Sequence, residues 1–235
     1  MQKEVISQKQ FLEMLSNGIK EFSNATMQFF DLHHLKLENV VFENCSLMFC
    51  TFSSCEFRNV KFVKCEMYFG SFYTGIADRL VFDKCGIDMT LFDSFQFSSS
   101  RMQACTLRWS GILNSNVPGI DISTSTRIKF VTSVSEITSS FVEDSVHEIM
   151  KNIERLDVGM RMKIKEMIRQ DMNRYNLEHP EEKQEGYGKS NGYADAPLAY
   201  GEMRHAVESF FYGIQQIYKT KKAYETESKY NSKEH

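Results

Sequence analysis

No stretch of the 235 residues approaches the ~18–20 continuous apolar residues that a membrane helix needs. Residues 1–20 are interrupted by Lys3, Glu4, Lys9, Gln10 and Glu13, so no signal-peptide core forms and a cytoplasmic protein is expected. A basic excess is missing too. The 28 Lys and Arg stand against 31 Asp and Glu, a net charge of −3, which argues against a general nucleic-acid binder. Proline is scarce, with 3 residues against 12 glycines, yet 42% of the chain is apolar, too much for a disordered polymer. The length suits one or two globular domains. No HExxH helix, Gly-rich phosphate loop, nucleophile elbow or zinc-type cysteine spacing occurs. The sequence therefore predicts no enzyme, no cofactor and no metal site.

What is present is a period of five. From Phe22, steps of five reach Met27, Leu32, Leu37, Phe42 and Leu47, and continue without a break to Val117 and Ile122. All 21 positions are apolar, and only Ala77 is small. At the background apolar fraction, chance gives such a run with a probability on the order of 10⁻⁸. Two residues before each centre lies a second series, mostly small: Ala25, Val40, Cys45, Cys50, Cys55, Val60, Cys65, Gly70, Gly75, Cys85 and onward. Lys20, Phe30, Leu35, Leu80, Phe95 and Ile120 are its exceptions. Inward positions thus alternate spacings of two and three. A helix requires three and four, a plain strand two and two. A step of two is extended chain, and a step of three turns a corner. The chain coils about its own axis.

This pattern, as in Cys45-Ser46-Leu47-Met48-Phe49 and Cys65-Glu66-Met67-Tyr68-Phe69, resembles the pentapeptide-repeat family. The resemblance covers about residues 20–124 and departs from the family in preferring Cys at the small site. It implies a mainly β fold, a right-handed quadrilateral β-helix with four pentapeptides and twenty residues per coil, here about five coils. Residues twenty apart then stack. Phe42, Phe62 and Phe82 form one column, Leu32, Phe52, Phe72, Phe92 and Ile112 a second, and Met27, Leu47, Met67, Ile87 and Leu107 a third. At ~4.8 Å per coil the rod core is roughly 25 Å tall. Gly75 and Ala77 underfill one corner.

All six cysteines fall at the small inward site, with Cys45, Cys65, Cys85 and Cys105 in one column. Parallel stacked Cβ vectors suit disulfide geometry poorly, so free thiols acting as small core residues are expected. His33 and His34 fall at outward positions, where a solvated surface is the expectation.

One outward column stands apart. Two residues after the centre, three corners are polar: Asn24, Asn44, Lys64, Lys84; His34, Ser54, Thr74, Ser94, Asn114; Asn39, Asn59, Arg79, Ser99. The fourth reads Phe29, Phe49, Phe69, Met89, Trp109, with Met48 and Tyr68 beside it. Such an aromatic stripe predicts a covered surface. The cover is the chain's own C-terminal half, a homodimer seam or a foreign protein.

The ends read differently. Residues 1–19 form an N-terminal cap. Ser7-x-x-Gln10 is a capping box, Phe11, Leu12, Leu15 and Ile19 share a helix face, and Gly18 suits the exit. After Ile122 the register fails, with Arg127 at a centre, so residues 125–140 read as an irregular last coil or linker. Residues 141–235 form a helical region, with helices about 141–177 and 198–229 arranged as a hairpin. Ile153 and Met160 on the first helix, and Phe210, Ile214 and Ile217 on the second, are candidate interface residues.

The expected function is non-enzymatic, a protein-interaction or scaffold role through this wall or through the C-terminal helices, with a homodimer possible. No membrane and no direct nucleic-acid contact are expected. The family resemblance implies an alternative, a DNA-mimicking topoisomerase binder of the quinolone-resistance type. That role needs an acidic rod. Residues 20–124 hold eleven acidic and nine basic side chains, a net of −2, far below the one charge per ~1.7 Å of duplex DNA.

Overall fold

The computed structural model describes residues 3–133, 136, 137, 139–153, 158–164 and 166. The chain divides into two compact units, Met1–Glu136 and Ile137–His235. The first is a parallel, four-sided β-solenoid of about six coils, one more than the sequence suggests. Face 1 begins with Glu21–Ser23, face 2 with Ala25–Gln28, face 3 with Asp31–His33 and face 4 with Lys36–Glu38. Each strand pairs with the one twenty residues later: Phe22 lies opposite Phe42, Phe42 opposite Phe62, and Phe62 opposite Phe82. Every centre from Phe22 to Ile112 is buried. Phenylalanines twenty apart stack in the core, Phe42 on Phe62 at 4.6 Å and Phe72 on Phe92 at 4.6 Å between centroids.

The corners explain how three-residue strands turn so sharply. At every position from Asn24 to Asn114 in steps of five, φ lies between +49° and +57°, and none of these residues is glycine. Left-handed backbone is unfavourable for L-residues by about 1–2 kcal/mol each. Hydrogen bonding offsets it, because most corner N–H groups meet a carbonyl of the next coil, as Asn24 N–H does that of Glu43 at 3.0 Å. Asparagine, the non-glycine residue best suited to this region, recurs on two polar corners. There it forms short ladders, Asn44 to Asn24 at 2.6 Å and Asn59 to Asn39 at 2.7 Å.

The underfilled corner is filled from one coil away. Phe95, an exception at the small site, turns its ring into the space above Gly75 and packs among Phe57, Phe72, Phe92 and Phe97 at centroid distances of 5.5–6.3 Å. A Cβ on Gly75 would collide with the Phe95 ring and sit 2.7 Å from the Cys55 carbonyl oxygen. Two small residues and one large one share a single volume.

Both ends of the ladder are finished by irregular pieces. Strand β1 (Glu4–Ile6) pairs with residues 25–27 above face 2, which the period of five does not announce. Helix α1 (Gln8–Ser16) follows, with the Ser7–Gln10 capping box formed and Gly18 at φ +84° beyond its end. Phe11 plugs the top of the core against Phe22 at 4.9 Å and Phe30 at 5.5 Å. Of the residues assigned to its inner face, Leu12 and Ile19 are exposed, because the helix ends at Ser16 and only its Phe11 side meets the core.

At the other end the backbone keeps the register that the sequence period loses. Thr126–Ile128 pairs with Thr106–Arg108, so the exposed Arg127 lies opposite Leu107, and Val131 bridges to Gly111. On face 4 the expected strand is replaced by a 3₁₀ turn, Val117–Gly119, that begins next to Pro118. The Asn116 amide side chain bridges the break, accepting from Phe97 N–H and donating to Phe97 C=O at 2.7 Å.

In the second unit, helix α2 (Ser139–Ile153) buries Phe141, Ser145 and Val146, and residues 158–164 are helical with Met160 and Ile164 buried. The remainder of the predicted first helix, and the whole second helix about 198–229, lie outside the described residues.

Candidate functional site

The aromatic corner column lies between faces 2 and 3. Its members occupy left-handed corners, with φ of 57° at Phe29, 54° at Phe49, 53° at Phe69, 49° at Met89 and 50° at Trp109. Phe29 stacks on Phe49 at 5.2 Å and Phe49 on Phe69 at 4.7 Å, with ring planes within 6°. Phe49 and Met89 are buried, whereas Phe29, Phe69 and Trp109 are half-buried. The sixth rung is Lys129, also left-handed, whose Nζ lies 5.7 Å from the Trp109 ring centroid in cation–π contact. Spacing by twenty alone places these residues in line.

The adjoining row on face 2 reads Gln28, Met48, Tyr68, Asp88, Arg108. Met48 and Tyr68 are half-buried, and the Gln28 amide reaches the Met48 sulfur at 3.9 Å. Asp88, although it faces outward, is buried and receives a two-pronged bond from Arg108, Nε at 2.7 Å and a terminal nitrogen at 2.8 Å. Partial burial, and after it the nearby Asp88 charge, shifts the ionisation of both Glu66 and Tyr68 to higher pH than usual. Glu66 lies over Gly86, where any side chain would strike its carboxylate.

Two further outward residues on face 3, Leu91 and Leu113, are fully buried, with Ser71 and Asp93 nearly so. The sequence reading passed over them. A signal existed in the row Asp31, Thr51, Ser71, Leu91, Gly111, which turns from polar to apolar down the rod. Val131 accounts for part of it, sitting over Gly111, where an added Cβ would lie 2.6 Å from its methyl. Of the candidate helical residues, Met160 is buried, Ile153 belongs to α2, and Phe210, Ile214 and Ile217 lie outside the described residues.

The cysteine column has a structural job beyond small size. Each thiol donates to a carbonyl of the previous coil, Cys45 to Phe22 at 3.3 Å, Cys65 to Phe42 at 3.4 Å and Cys85 to Phe62 at 3.3 Å. Each also accepts, since the N–H groups of Cys45 and Cys65 point at the sulfur one coil on at 3.4 Å. Serine does the same elsewhere, as Ser110 does for Thr90 N–H at 3.2 Å. The thiol is a rung in a hydrogen-bond ladder that runs inside the sheets, a role that small size alone did not reveal. All six cysteines are free and buried. Among the described residues no group of three or more His, Cys, Asp or Glu is arranged to hold a metal ion.

Six thiols should therefore resist reagent in the folded protein and titrate fully in denaturant; a lower count in denaturant would contradict the ladder. Burial also pushes the Cys50 thiol up to about 11 from 9.0. The unfolded chain then loses this proton first, so stability falls as pH rises from about 9 to 11. Urea melts across that window should show a shallower fall for Cys50→Ser than for the wild type.

No protein-family model matches the chain, and no curated protein does. Among solved structures it is similar to the pentapeptide repeat protein Rfr23 from the cyanobacterium Cyanothece 51142, at 8% identity and a TM-score of 0.48. That match covers 52% of this chain and 96% of the other. It is also similar to trypsin-treated QnrB1, a plasmid-mediated fluoroquinolone resistance protein, at 15% identity and a TM-score of 0.29 over 48% and 73% of the two chains. HetL, a pentapeptide repeat protein involved in heterocyst differentiation regulation in Nostoc sp. strain PCC 7120, matches at 10% identity and a TM-score of 0.25 over 49% and 70%. The fold is legible in the chain's own geometry. Five residues make a side, four sides make a coil of twenty and a left-handed residue turns each corner from Asn24 to Asn114: this is the four-sided β-helix of the pentapeptide-repeat fold.

Proposed function

We propose that the protein is a non-enzymatic interaction module, and that it docks a protein through the aromatic corner column and the residues beside it. One observation carries this reading. Bulky aromatics sit at left-handed corners on one edge of the rod, where the other three edges carry mainly polar side chains. Turning the corner does not require them, since Asn, Ser and Lys turn it elsewhere at similar φ. Aromatic-rich surfaces are characteristic of protein interfaces. The docked protein is a foreign partner or a second copy of this chain. Mimicry of DNA is disfavoured by the near-neutral charge of the rod.

The test compares wild type with a Phe69→Ala/Trp109→Ala double variant, by pull-down from the native host and by light scattering of the purified chain. A captured protein or a self-associated species that is lost in the variant, at unchanged circular dichroism, supports the reading. Association that survives the double substitution contradicts it.

A further inference from the structure

On a different side of the rod, we propose that face 1 binds a short acidic peptide segment in extended form. Lys61 and Arg101 share one outward row of this face, with Val81 between them. Lys64 and Lys84 follow each other on its corner, at φ of 51° and 54°. All four side chains are exposed. Several other exposed cations of the solenoid find carboxylates: Lys36 and Arg58 bond Glu56 at 3.1 and 3.3 Å, and Arg79 bonds Asp78 at 3.0 Å. Among the described residues, Lys61, Lys64, Lys84 and Arg101 make no ion pair. The half-buried Asp83 is the one carboxylate within this strip, with Glu43 bounding it above and Asp121, opposite Arg101, bounding it below. Four unpaired positive charges are thus gathered on one wall of a protein whose net charge is −3.

The dimensions and chemistry select the ligand. The strip spans three coils, about 10 Å between its outermost strands at ~4.8 Å per step, which matches a few residues of extended chain. The half-buried Val63 side chain among the cations supplies apolar contact for a residue of such a segment. A nucleic-acid strand fits less well. Face 1 carries no outward aromatic residue on which a base could stack, and Glu43 and Glu21 on the upper coils would meet the phosphates of a longer polymer.

The test uses the full chain and a fluorescein-labelled octapeptide alternating Glu and Val, read by anisotropy at about 50 and 150 mM salt. Binding should weaken with salt and fall by about tenfold or more in Lys61→Gln/Lys64→Gln/Lys84→Gln. It should be unchanged in Lys36→Gln/Arg58→Gln, whose cations are already paired. A labelled twelve-nucleotide single strand serves as competitor. No peptide binding, equal binding by both variants, or tighter binding of the oligonucleotide would each overturn the proposal. Phe69→Ala/Trp109→Ala should bind the octapeptide like wild type, which separates this surface from the aromatic wall.

Discussion

Phe62→Ala should destabilise the protein by ~3–5 kcal/mol, whereas Lys64→Ala two residues later should be near neutral. Phe62 is fully buried at the middle of a column of five centres and stacks on Phe42 at 4.6 Å and Phe82 at 5.0 Å. Removing its ring breaks both stacks and leaves a void that the three-residue strands above and below cannot close without losing register. Lys64 stands at an exposed left-handed corner, and alanine adopts that backbone no worse than lysine does, as Ala104 shows at φ 50°. Urea unfolding of both variants reads the difference. Comparable losses would mean that the inward and outward assignments are wrong.

Gly75→Ala should be nearly as damaging, by about 3 kcal/mol, although it adds a single methyl group. The new Cβ meets the Phe95 ring on one side and the Cys55 carbonyl oxygen at 2.7 Å on the other. The ring cannot withdraw, since Phe57, Phe72, Phe92 and Phe97 enclose it. Phe95→Leu alone should also destabilise, by vacating that space. Combined, the two changes should recover about 1–2 kcal/mol relative to their sum, because the shorter side chain makes room for the methyl. The carbonyl contact remains, so recovery is incomplete. Strict additivity in a double-mutant cycle would show that Gly75 and Phe95 do not share one volume.

These residues also show how far the sequence could be read. The coil followed from spacing, and its four faces and the aromatic column from the family resemblance that the spacing carries, because a solenoid converts position in the period directly into direction in space. The identity of each inward residue is then nearly independent of distant parts of the chain. Legibility fails where contacts cross between coils out of register. Phe95 looks like a violation of the small site, and only packing shows that it completes Gly75. Strand β1 is offset by 21 residues from its partner, Ile6 lying opposite Met27, and so escapes a search at twenty. Arg127 breaks the apolar period, yet its strand pairs in register, since backbone hydrogen bonds need no particular side chain at the last rung. The unpaired cations of face 1 lie at ordinary outward positions, and their lack of carboxylate partners emerges only in three dimensions.

Site-specific photo-cross-linking tests the central claim, that the aromatic wall engages protein, most directly. Tyr68, half-buried beside Phe69, can be replaced by a benzoylphenylalanine of similar shape, with the same group placed at Lys36 on face 4 as the control. Illuminated in extract of the native host, the Tyr68 position should give a discrete adduct, either with a single other protein or with a second copy of the chain. Excess unlabelled wild type should compete it away, and the Lys36 position should give none. Absence of a competed adduct at Tyr68, or the same adducts from both positions, would contradict the account.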